Sequence, residues 1–76
     1  MNDGRRKQLF AAIENIDSAM NIVTECADEE QEYFDNMPEG LQGSEKGDQA
    51  SETIDELQNV VEELNDLMGR IEECKA

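Results

Sequence analysis

Apolar residues in the first half of the chain fall at Leu9, Ile13, Ile16, Met20, Val23, Ala27 and Phe34. Steps of four and three, with one of seven at the end, hold these side chains on one stripe of a helix, and only Glu30 interrupts the register. Phe10 and Ala12 widen the stripe at its start, and Asn2 or Asp3 offers a capping oxygen. The pattern predicts helix 1 over about residues 3–35. A second stripe runs through Ala50, Ile54, Leu57, Val61, Leu64, Met68 and Ile71, with Val60, Leu67 and Cys74 as a flanking row. It predicts helix 2 over about residues 44–74, wide enough in its apolar face to touch two neighbours. Ser44 stands at the N-cap position, Glu45 and Asp48 in the first turn and Arg70 and Lys75 near the end, all in agreement with the helix dipole. Gly47 and Gly69 each weaken this helix by about 1 kcal/mol relative to Ala.

Residues 36–43, Asn36-Met37-Pro38-Glu39-Gly40-Leu41-Gln42-Gly43, form the hinge. Pro38 drives Met37 toward extended backbone and stops helix 1. Asn36 is read as the cap of one short turn begun at Pro38, with Leu41 folding back to plug the end of the bundle. So short a link folds the two helices back on each other. The expected fold is therefore all-α, an antiparallel two-helix hairpin of coiled-coil type. Facing residue numbers then sum to about 80, which puts Cys26 and Cys74 roughly 30 Å apart, too far for a bridge within one chain. Two helices leave much of each stripe wet, so two hairpins are expected to close into a homodimeric four-helix bundle. Its dimer and core positions would be Leu9, Ile13, Ile16, Met20, Val23, Ile54, Leu57, Val61, Leu64, Met68 and Ile71.

Composition narrows the chemistry. The chain has 76 residues, a net charge of −14, no His and no Trp. A thin core without a His leaves no room for an enclosed catalytic pocket, and the three serines have no base to activate them. Adjacent carboxylates such as Glu29/Glu30 and Glu62/Glu63 point apart on a helix, which argues against paired acid/base work. No zinc pattern, calcium loop or phosphate loop is present. The expectation is a protein that is not an enzyme and takes no cofactor or metal. Cys26 and Cys74 read as reduced, small apolar residues beside the helix seam. No apolar run is long enough to span a membrane and no secretory leader is evident, so the expected location is the cytosol in which the chain is made.

Charge placement carries the functional expectation. Helix 1 holds its basic residues Arg5, Arg6 and Lys7 at the start and its acidic ones at the end, against the sense of the helix dipole. Folding the hairpin brings Glu25, Asp28, Glu29, Glu32 and Asp35 beside Glu45, Asp48, Glu52, Asp55 and Glu56. The bland reading is a solvating surface. The sharper one is a rod whose carboxylates stand where phosphates would, one per roughly 2 Å against one per ~1.7 Å in duplex DNA. With Tyr33, Met37 and Leu41 at the tip, these acidic residues are the candidate partner-binding surface. The expected target is a basic nucleic-acid-binding protein rather than nucleic acid itself. Arg5, Arg6 and Lys7 are expected to pair with Glu72 and Glu73 across the hairpin, for about 0 to 1 kcal/mol each.

The stretch from Glu32 to Glu45, with its Asp35-Asn36-Met37-Pro38-Glu39 core, Leu41-Gln42 and Ser44-Glu45, resembles a group of short acidic helical proteins from bacteriophages and prophages. The likeness is specific over Tyr33 to Glu45 and compositional elsewhere. It implies a phage origin and a host target. The resulting expectation is a small acidic phage-type protein that binds and inhibits or modulates a host protein. The competing expectation is a structural or assembly module that pairs its apolar seam with another helical phage protein.

Overall fold

Asn2 opens the first helix: its side-chain oxygen accepts the backbone N–H of Arg5 at 2.8 Å, while its carbonyl accepts that of Arg6 at 3.1 Å. From there α1 runs over Asp3–Asp35 in the computed structural model, which describes residues 1–75. No Pro lies in this stretch and its one Gly sits in the first turn, so nothing interrupts the backbone ladder. Asn36 ends α1. Its N–H donates to the carbonyl of Glu32 at 3.0 Å. A single turn, α2, follows over Glu39–Gln42, and α3 spans Glu45–Cys74.

α1 and α3 run in opposite directions along each other. Near the termini the Arg6 Nε donates to the Lys75 carbonyl at 3.0 Å, and the Lys75 ammonium sits 4.8 Å above the centre of the Phe10 ring. Residues whose numbers add to about 81 therefore lie level. The body measures 58 × 15 × 11 Å, with a radius of gyration of 17.3 Å; a compact chain of this length would have about 11 Å. All described regular structure is helical. No helix among the described residues is long and apolar enough to cross a membrane.

Packing is uneven along the rod. Ala27, Ala50 and Ile54 are buried, as is Gly47, and all four lie toward the hinge. In the open half, residues 1–23 and 58–75, nothing is fully buried. Of the eleven seam positions expected to line the core, Ile54 is enclosed and the other ten are half-buried. The hairpin exposes 5596 Å². A folded monomer of 8.6 kDa exposes about 4,700 Å².

Three local expectations are corrected. Asn36 caps the C-terminus of α1 instead of starting the next turn, and Pro38 holds the position before α2, because Pro has a fixed φ and no N–H to satisfy. Leu41 is 46% exposed and plugs nothing; the plug is Gln42. The basic cluster forms no cross-helix ion pair among the described residues: Arg6 turns to Asp3 on its own helix at 3.1 Å, and Glu72 pairs with Lys75 at 3.2 Å. Arg6 lies beside the free carbonyls that end α3, and a cation is favoured at that negative pole.

Candidate functional site: the acidic hinge half

The tip is held by one side chain. Gln42 directs its amide N–H₂ back at α1, donating to the carbonyl of Phe34 at 3.1 Å and of Met37 at 3.3 Å. The Phe34 carbonyl, in the last turn of α1, also accepts the Met37 N–H at 3.1 Å, so the amide adds a second donor there and a partner for the Met37 carbonyl beyond the helix end. In turn the Leu41 and Gln42 N–H groups donate to the Pro38 carbonyl at 2.8 and 3.1 Å, closing α2. Ser44 adopts the extended backbone of a cap, but its hydroxyl turns back to the Leu41 carbonyl and makes no capping bond to α3. Gly47, in the first turn of α3, lies against the backbone of Gln42. The hinge is thus a tied structure. Chain direction reverses there without a mobile tether.

Around this frame the charge is segregated. Residues 24–57 hold twelve carboxylates against the single cation Lys46, a net −11, so the remaining residues carry only −3 of the total −14. Glu25, Asp28, Glu29, Glu32, Asp35, Glu45, Asp48, Glu52, Asp55 and Glu56 are all exposed. Gln31 donates to Asp35 at 2.9 Å, the one side-chain hydrogen bond to a carboxylate in this half among the described residues. Lys46 forms no ion pair there. Glu30 sits half-buried in the seam one turn beyond Ala27. No group of three or more metal-ligating side chains is gathered among the described residues.

Apolar side chains punctuate the acidic surface. Tyr33 and Leu41 are about half exposed, and Met37 is half-buried between the helix ends. A groove of about 320 Å³ lies between the helices, lined by Thr24, Ala27, Asp28, Gln58, Val61 and Glu62. Its walls are acidic and its floor is apolar. The arrangement can bind a cationic surface; nothing in it positions a nucleophile against a base.

Both cysteines are free and exposed, which corrects the expectation that they pack beside the seam. They project from the flank of each helix, and a two-helix structure covers the seam alone. Sequence reading also passed over Gln42, whose amide donates to two carbonyls. It missed Ile22, 61% exposed, which belongs to an uncharged row at steps of four and three: Gln8, Ala12, Asn15, Ala19, Ile22 and Cys26. That spacing was the available signal. No protein-family model, no curated protein and no solved structure matches the chain.

Proposed function

We propose that this chain is a non-catalytic acidic binding protein of phage type, which dimerises into a four-helix bundle and uses its hinge half to inhibit or modulate a basic, nucleic-acid-binding protein of the host. The concentration of −11 in residues 24–57 carries the reading. Twelve carboxylates over a segment of roughly 25 Å come to about one per 2 Å, near the line density of duplex DNA. Helix stability does not account for the six that α1 contributes, since an acidic end on α1 opposes its dipole. The likeness of the hinge to small phage proteins supports a host target. Tyr33, Met37 and Leu41 supply apolar contact within the acidic surround, as a compact recognition tip requires.

A second reading, an assembly module that pairs with another helical phage protein, is favoured by the apolar exposure of Ile22 and Leu67 away from the acidic half. One experiment separates the two. The chain and a variant with Glu29, Glu32, Glu52 and Glu56 changed to Gln are used to capture proteins from bacterial lysate at 50 and 500 mM NaCl. Charge mimicry predicts DNA- or RNA-binding proteins that are lost at high salt, displaced by duplex DNA and not retained by the variant. Capture that is indifferent to salt, duplex and the four substitutions overturns it.

A further inference from the structure

We infer that the second copy docks on one particular face of the open half, antiparallel, with α1 on the partner's α1, α3 on the partner's α3, and the two acidic tips pointing away from each other. This rests on the proposed dimer and specifies its geometry. In an antiparallel hairpin the row Gln8, Ala12, Asn15, Ala19, Ile22 on α1 and the row Val60, Glu63, Leu67, Arg70, Cys74 on α3 lie on the same broad face. The α1 row has no charge over five consecutive positions, in a chain that is 34% charged. Ile22 is 61% exposed there and Leu67 42%. A groove of about 470 Å³ lined by Leu67, Arg70, Ile71, Glu73 and Cys74 opens on this side. The hairpin's surface exceeds that of a compact monomer by about 900 Å², close to the roughly 800 Å² that one partner gives to a standard interface.

The order of residues sets the direction. Along α3 the row reads apolar, acidic, apolar, basic, apolar, and neither Glu63 nor Arg70 has an ion-pair partner among the described residues. A two-fold axis through Leu67 places Val60 level with the partner's Cys74 and Glu63 beside the partner's Arg70, twice per dimer. Self-complementarity of this kind is what an isologous contact requires. On α1 the same axis passes Asn15, because residues summing to about 81 are level. Parallel pairing would instead stack the two −11 halves side by side.

Two measurements test this on the full chain. Spin labels on the exposed cysteines, one at a time in Cys74→Ser and Cys26→Ser backgrounds, should report about 33 Å between Cys26 labels and about 21 Å between Cys74 labels, from the rise of 1.5 Å per residue. Distances below about 20 Å at both sites mean a parallel dimer and overturn the orientation while leaving the bundle intact. A folded monomer by sedimentation at micromolar concentration overturns both. In parallel, Glu63→Arg and Arg70→Glu should each raise the dimer dissociation constant about tenfold, and the double exchange should return it to within about threefold. The two residues are seven apart on one helix and cannot compensate within a chain. Absence of rescue in the double variant overturns the pairing. Leu67→Asp should abolish the dimer and leave helicity unchanged.

Discussion

A Cβ on Gly47 would stand 2.7 Å from the Cα of Gln42 and nearer still to its carbonyl group. Glycine is present here because α2 returns directly onto the first turn of α3, and backbone does not yield as a side chain does. Gly47→Ala is therefore expected to destabilise the hairpin by about 1–3 kcal/mol, although Ala is the better helix former. Gly69 has open space around its missing Cβ, and Gly69→Ala should stabilise by about 0.5–1 kcal/mol. Urea denaturation of the two variants checks the pair of signs.

Gln42 donates to the carbonyls of Phe34 and Met37 and so ties the tip back onto the end of α1. Gln42→Ala should cost about 1–2 kcal/mol, and Gln42→Glu at least as much, because a carboxylate facing carbonyl oxygens offers no donor at neutral pH. Amide exchange would locate the loss at residues 33–44, with the open end unaffected.

Acidic crowding at the hinge predicts a salt response. Raising NaCl from 20 mM to 1 M shortens the screening length to about 3 Å and should raise the thermal midpoint. Glu32→Gln, in the last turn of α1, should stabilise by about 0.3–1 kcal/mol at low salt and by little at high salt. A midpoint that is flat across this range would contradict the proposed repulsion.

Arg6 and Phe10 tie the far end through Lys75. Arg6→Ala removes the bond to the Lys75 carbonyl and should cost about 1 kcal/mol, with fraying confined to the last turns of α3. Nuclear magnetic resonance of residues 68–75 would show it as loss of helical chemical shift, while Ile54 and its neighbours stay unchanged.

Helical class and the pairing of two long helices were legible in the linear pattern, since steps of four and three leave an apolar stripe only one low-energy use. The gathering of acid at one end was equally legible, because a fold-back link between two charged segments brings them together in any register. Gln42 was not. Its value depends on which carbonyls lie within reach, and that is fixed by how Pro38 and α2 turn the chain. Gly47 looked like a local weakness for the same reason: the backbone it accommodates is five residues away in sequence and touching in space.

Periodicity and charge order along the chain thus determined by themselves that this protein is a pair of amphipathic helices with a strongly acidic bend. Tertiary structure alone decided where the rod is tightly closed and where it stays open. Ala27, Ala50 and Ile54 are enclosed in the hinge half, where Gly47 lets α2 return onto α3, whereas in the open half two helices alone cover only part of each seam side chain and leave the rest to solvent or to a partner. Burial depends on how many elements meet around a side chain, and no single helix's pattern specifies that.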